Sequence, residues 1–241
     1  MVSEAKLQIR VIPVTPLQQN CSLIWNEDTK RAALVDPGGD ADRLMDALNH
    51  FGVTLTRMWL THGHLDHAGA AAELRERTGV AVEGPHKDDQ FWLDLIEDSA
   101  KRYGVTGLRN VTPDRYFDDG ETLEFEGVTF DVSHTPGHTP GHVVIHNKDL
   151  KIAFVGDVLF AGSIGRTDFP RGNHQQLIDS ITQKLWPLGD DMAFVPGHGP
   201  TSTFGRERQS NPFVADRLTG YAGAEKQAPD VGEQRTTKRY T

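Results

Sequence analysis

The densest chemistry in the chain lies in Thr61-His62-Gly63-His64-Leu65-Asp66-His67, where four metal-ligating side chains fall within six residues. Gly63 lets the backbone fold tightly between two imidazoles. Neutral imidazole and carboxylate are the ligands that zinc and iron accept. One histidine in a polar loop is ordinary; three with an aspartate are not. Three further positions share the character. His138 lies in Pro136-Gly137-His138-Thr139-Pro140-Gly141-His142, Asp157 in Val155-Gly156-Asp157, and His198 in Pro196-Gly197-His198-Gly199-Pro200. Each neighbours glycine or proline, which fixes the local backbone, and each alone is a weak signal. Together with the first motif they supply seven ligands, enough for two divalent ions: zinc first, iron or manganese as alternatives.

The elements that must position these residues alternate between strand and helix. Residues 7–14, 21–25, 32–35 and 55–60 read as strands. Leu44, Leu48 and Phe51 fall at helical spacing, so 41–51 reads as a helix stopped by Gly52. The His-rich motif follows the strand 55–60 and precedes a helix over 68–78, placing it in a loop at a strand's carboxyl end, where open α/β sheets bind ligands. A single long helix is expected over 88–103, with Phe91, Trp92, Leu95 and Ile96 on one side. Short strands and tight turns follow from 123 to 157, then a helix around 177–185 and a strand at 193–195. Strands at both ends, interspersed helices and hairpins describe a mixed-sheet α/β sandwich of layers.

Composition bounds the function classes. Of 241 residues, 25 are basic and 34 acidic, a net charge of −9, which argues against a nucleic-acid partner. The 37% hydrophobic content suffices for a core at this length. No apolar run is long enough to cross a bilayer, and the first residues lack the apolar stretch of a secretion signal, so a cytoplasmic location is expected. The lone Cys21 excludes an internal disulfide and any multi-cysteine metal site. It reads as a small buried apolar residue rather than a nucleophile. Residues 1–216 read as one domain. From 217 to 241, five basic and three acidic residues with almost no aliphatics read as a disordered tail, with a basic recognition arm as the alternative.

The order His-x-His-x-Asp-His, then His138, Asp157 and His198, resembles the metallo-β-lactamase superfamily. His-Thr-Pro-Gly-His-Thr-Pro-Gly-His-Val and Gly-Arg-Thr-Asp-Phe-Pro-Arg-Gly narrow the likeness to its short glyoxalase II-like hydrolases, over residues 9 to 213. The resemblance implies an αβ/βα sandwich of two mixed sheets flanked by helices, with a dinuclear site at one edge. It assigns His62, His64 and His138 to a first metal, Asp66, His67 and His198 to a second, and Asp157 to both. Spacing alone does not choose among His134, His138 and His142; the family motif selects His138. His134 and His142 then read as supporting or packing residues, and His50, His86, His146 and His174 as surface or packing histidines.

Two such ions share one water and lower its pKa towards 7, so a bridging hydroxide is the nucleophile, with Asp66 beside it as the expected catalytic residue. The implied activity is hydrolysis of a small-molecule thioester, with S-lactoylglutathione the leading candidate, because a thiol leaves without a strong general acid. Arg166 and Arg171 are candidate carboxylate contacts; surface ion pairs are the competing reading. Only 43 residues follow His198, too few for the C-terminal helical domain by which longer relatives hold glutathione. The rival from another class is a mono-iron persulfide dioxygenase on the same scaffold, which would use His62, His138 and Asp157 alone. A flavodiiron role is disfavoured because His64 stands where that variant has a carboxylate. A closed structural zinc site is disfavoured because such sites are cysteine-rich.

Overall fold

The computed structural model describes residues 7–221. Strands β1 (Leu7–Val14), β2 (Gln19–Asn26) and β3 (Arg31–Val35) form an antiparallel meander. Helix α1 (Ala41–Phe51) then crosses over, and β4 (Thr54–Trp59) pairs parallel with β3. After α2 (Leu65–Ala68) and α3 (Ala71–Thr78), β5 (Val82–Glu83) completes a first sheet of order β1-β2-β3-β4-β5. Helices α4 (Gln90–Leu93) and α5 (Ile96–Tyr103) lead to the second half. There β6 (Thr122–Phe125), β7 (Val128–His134), β8 (Val143–Asn147) and β9 (Ile152–Gly156) form antiparallel hairpins. A two-stranded ribbon, β10 (Leu159–Phe160) and β11 (Ser163–Ile164), stands apart. Helix α6 (His174–Asp179) precedes β12 (Ala193–Pro196), which runs parallel to β9, and β13 (Ser202–Thr203) closes the second sheet in the order β13-β12-β9-β8-β7-β6. Helices α7 (Phe204–Ser210) and α8 (Asp216–Thr219) end the described chain.

Three apolar layers explain why the strands read as near-continuous hydrophobic runs rather than clean alternations. Between the sheets, Ile24, Val35 and Trp59 from the first meet Phe125, Phe130 and Phe154 from the second. The Trp59 ring sits 5.9 Å from Phe125 and 5.6 Å from Phe130, both edge-on, the arrangement aromatic rings prefer. Leu44, Leu48, Leu74 and Ile96 cover the outer face of the first sheet. Leu177, Ile181, Leu185 and Phe204 cover that of the second. The result is the layered sandwich of two mixed sheets flanked by helices that the sequence implies.

Three expectations change in detail. The helix expected over 68–78 begins earlier, as α2, and is broken at Gly69, so Asp66 and His67 are helical rather than in a loop. The single helix expected over 88–103 is a 3-10 turn at Lys87–Asp89 followed by α4 and α5, with a break at Asp94 and Leu95. Its apolar residues serve two surfaces: Leu93 and Ile96 enter the core, while Trp92 and Leu95 line a cavity. One straight stripe would serve only one. The boundary expected at 216/217 falls inside α8; Arg208 lies over the Tyr221 ring at 4.7 Å and holds the Asp216 carboxylate, tying that segment down. The rest of the expected tail, 222–241, lies outside the described residues.

Candidate metal centre

Strand direction gathers the site. β3 and β4 run parallel, as do β9 and β12, so the segments after them emerge at one edge of the sandwich. Asp36 follows β3, His62 and His64 follow β4, Asp157 follows β9 and His198 follows β12. β7 is antiparallel to β8, which is antiparallel to β9, so the His138 turn after β7 reaches the same edge. The two sheets are joined there: the Asn20 N–H donates to the Gly197 carbonyl at 2.7 Å, and its side-chain amide to the carbonyls of Pro196 and Gly199.

Two donor clusters result. His64 Nδ1 lies 3.1 Å from His62 Nε2 and 3.0 Å from His138 Nε2. Around a tetrahedral ion with bonds of about 2.0–2.1 Å, nitrogens sit about 3.3 Å apart, so this trio has the spacing of a ligand set. In the second cluster His198 Nε2 lies 3.1 Å from Asp66 Oδ2, with His67 in the same group. Asp157 stands between them: Oδ1 is 3.3 Å from His67 Nε2, and Oδ2 is 3.6 Å from His138 Nε2 and 3.8 Å from His198 Nε2. His67 Nε2 and Asp157 Oδ1 are buried without a hydrogen bond among the described residues. Buried polar atoms seldom go unsatisfied, and a cation held by the second cluster together with Asp157 would account for both.

Neighbours fix which nitrogen faces inward. The His67 Nδ1–H donates to Asp36 Oδ2 at 2.8 Å, and the His138 Nδ1–H donates to the Arg166 carbonyl at 2.8 Å. Each turns its Nε2 towards the centre, the usual support of a metal-binding imidazole. Burial lowers His67, but Asp157, Asp36 and Asp66 outweigh it and hold the ring well above the ordinary histidine value, with a proton that a bound cation would displace. Asp36 also accepts from the Thr61 backbone N–H at 2.7 Å and its hydroxyl at 2.6 Å, and holds a left-handed φ of 54° to do so. His142 accepts the Asp157 N–H at 3.1 Å through Nε2 and stacks on His62 with centroids 4.7 Å apart.

The electrostatics suit cations. Burial, then the neighbouring imidazoles, hold His62 well below the ordinary histidine value; burial and His138 push His64 down to about 3. Both are therefore unprotonated, as ligation requires. Burial opposes ionisation of Asp157, but His67, His138 and His198 hold its carboxyl well below the usual range. Asp66 is likewise lowered by His67 and His198 against its burial.

All seven sequence-predicted ligands meet at this edge; the two arginines do not behave alike. Arg166 lines the adjoining cavity, but its guanidinium fork is held by Asp168 at 2.7 Å on both arms and lies over the Phe169 ring. Arg171 lines a separate depression with His134 and Gln176, over the Phe91 ring, and is not brought to the cavity. Cys21 is fully buried, where burial pushes its thiol up, in keeping with a packing role.

Two supporting carboxylates escape sequence reasoning. Asp36 reads only as part of a strand-stopping Asp-Pro-Gly-Gly. Asp89, fully buried, accepts from the Gly63 N–H at 2.9 Å, the Thr139 hydroxyl at 2.7 Å and the Gly141 N–H at 2.6 Å. It thus ties the His62–His64 loop to the His138 turn. An aspartate followed by an apolar run is a generic helix-start signal, so nothing local marks it.

Comparison with known proteins agrees with this geometry. The model of the metallo-beta-lactamase superfamily matches residues 14–198. The chain is 48% identical to the hydroxyacylglutathione hydrolase GloC of Haemophilus influenzae, over 86% of this chain and 98% of that protein. Among solved structures it is similar to the BLEG-1 B3 metallo-beta-lactamase, with TM-score 0.79 and 37% identity over 86% of this chain and 99% of that one. It is also similar to TTHA1623 in a di-iron-bound form, with TM-score 0.77 and 33% identity over 85% and 100%. The ligand order, the paired sheets and these likenesses lead to one conclusion: the chain belongs to the metallo-beta-lactamase superfamily, among its glyoxalase II-like, metal-dependent hydrolases.

Proposed function

We propose that this enzyme hydrolyses a small-molecule thioester, with S-lactoylglutathione the leading substrate, at a centre of two divalent ions. The observation that carries the reading is the pair of donor clusters sharing Asp157. His62, His64 and His138 would hold one ion, Asp66, His67 and His198 the other, and Asp157 both. The residue chemistry favours zinc, with iron or manganese as alternatives; the similar TTHA1623 structure holds two irons. Such a pair supplies a water acidified towards neutrality and a Lewis acid for the carbonyl oxygen.

The chain's own residues do the rest. Asp36 and the Arg166 carbonyl keep the protons of His67 and His138 on Nδ1, away from the reacting side. Asp66 and Asp157 are held as carboxylates, so neither competes as an acid at neutral pH. A cavity of about 640 Å³ opens from His64, Asp66, Asp157 and His198, walled by Trp92, Phe160 and Phe169, a size that suits a small organic ligand. These rings shield the scissile bond from bulk water. Among the described carboxylates that line the cavity, Asp66 and Asp157 belong to the donor clusters and Asp98 lies at the far end on α5, engaged by Lys101. A centre without a dedicated general acid suits a thiol of pKa roughly 8.5–9 better than an amine.

That the similar GloC is a hydroxyacylglutathione hydrolase supports the same substrate class. No helix among the described residues is long and apolar enough to cross a membrane. The test is an assay of lactoylglutathione hydrolysis beside oxygen uptake with glutathione persulfide. Thioester turnover without oxygen uptake supports the proposal; oxygen uptake alone would establish the dioxygenase reading in its place.

A further inference from the structure

The cavity that opens from the metal centre has a second end, formed by one face of α5. Leu95, just before that helix, then Asp98, Ser99, Arg102 and Tyr103 line it at spacings of three and four residues, one stripe of a helix surface. Two guanidinium groups line the cavity, and they differ. Arg166 is occupied by Asp168 and by the Phe169 ring. Arg102 has no hydrogen bond, ion pair or ring partner among the described residues. The acid on its own helix face, Asp98, is engaged by Lys101 at 3.1 Å. An unpaired guanidinium facing a cavity with apolar walls is a carboxylate receptor, because its fork matches two carboxylate oxygens.

From this we infer that Arg102 is the specificity-determining contact of the enzyme, holding a carboxylate of an anionic, peptide-like thiol carrier at the α5 end of the cavity. The inference rests on the hydrolase reading above and deepens it by naming the residue that reads the carrier's carboxylate. The division of labour follows from the lining. The acyl carbon lies at the end formed by Asp66, Asp157 and His198, while Trp92, Leu95 and Phe169 flank the middle. The carrier's charge meets Arg102, with the Ser99 hydroxyl one turn earlier on the same face. Carrier recognition is thereby built into the single sandwich.

The test compares lactoyl thioesters of two carriers, glutathione and the uncharged N-acetylcysteamine, in wild type, Arg102→Ala and Arg102→Lys. Arg102 is exposed, so the substitutions leave the core untouched. For Arg102→Ala, KM for the glutathione thioester should rise about tenfold with kcat nearly unchanged, the cost of one charge-assisted contact. The ratio of kcat/KM for the charged over the uncharged carrier should fall by the same factor. Arg102→Lys should recover part of it, and added salt should narrow the gap. Equal losses for both carriers, or no loss for either, would overturn the inference. Binding of S-methylglutathione, which cannot be hydrolysed, reads the subsite without turnover. Weaker binding to Arg102→Ala in a protein that cleaves neither thioester would support the subsite while sinking the hydrolase reading. Unchanged binding would sink the subsite.

Discussion

Asp89 ligates nothing, yet one of its oxygens accepts from Gly63, between His62 and His64, and both accept from the turn that carries His138. Asp89→Asn would set an amide N–H against one of those donors. Loss of such a support typically weakens metal binding about 10–100-fold, and chelator competition with zinc should read a drop of that size. Burial also raises the Asp89 acid from 3.8 to about 6, against the lowering effect of its three donors. An acid raised on folding adds stability below its unfolded value and loses it as pH climbs through the folded one. The window is therefore about pH 4 to 6, and the shift corresponds to about 3 kcal/mol. Urea unfolding of the metal-free protein should show wild type losing roughly that much more than Asp89→Asn between pH 4 and 7. Parallel pH profiles would refute the assignment.

At the scale of elements, the ligand-bearing turns meet at contact distance with no spare volume. A methyl on Gly197, in the turn after β12, would stand 2.1 Å from Asp157 Oδ1 and 2.5 Å from a carbon of the His67 ring. Gly197→Ala must push the turn away and take His198 with it. The variant should fold, at a cost of about 1–3 kcal/mol, retain close to one metal per chain, and lose about 10²–10³ in kcat, as when a strong oxyanion contact is removed. Elemental analysis beside turnover checks this; two metals and full activity would contradict it. The same turns show why part of the site is legible in the sequence. His62, His64, Asp66 and His67 fall within six residues, so their chemistry is local. Asp36 lies 31 residues from His67 and Asp89 26 from Gly63; only sheet topology joins them. Helix boundaries fail for a related reason. Periodicity counts apolar residues but cannot separate those facing the core, such as Leu93, from those facing a cavity, such as Trp92. Arg166 and Arg171 are equivalent in sequence, and ion pairing and turn direction separate them.

For the whole molecule, the two sheets meet at a shared edge that holds the centre, with apolar layers between them and on both outer faces. The described chain closes with α8 and Tyr221 against Arg208 and the second sheet's outer layer. A chain ending after Tyr221 should therefore melt within about 1–2 °C of full length, the range of an uninvolved surface change, and keep its KM for lactoylglutathione. A large KM rise would reveal a substrate-holding arm in 222–241. The central claim is that two metal sites sharing Asp157 act together. Its most direct measurement is titration of metal-free protein with zinc while lactoylglutathione hydrolysis and bound metal are followed together. Turnover should stay low through the first equivalent and rise to its maximum as the second binds. Full turnover at one metal per chain would contradict it.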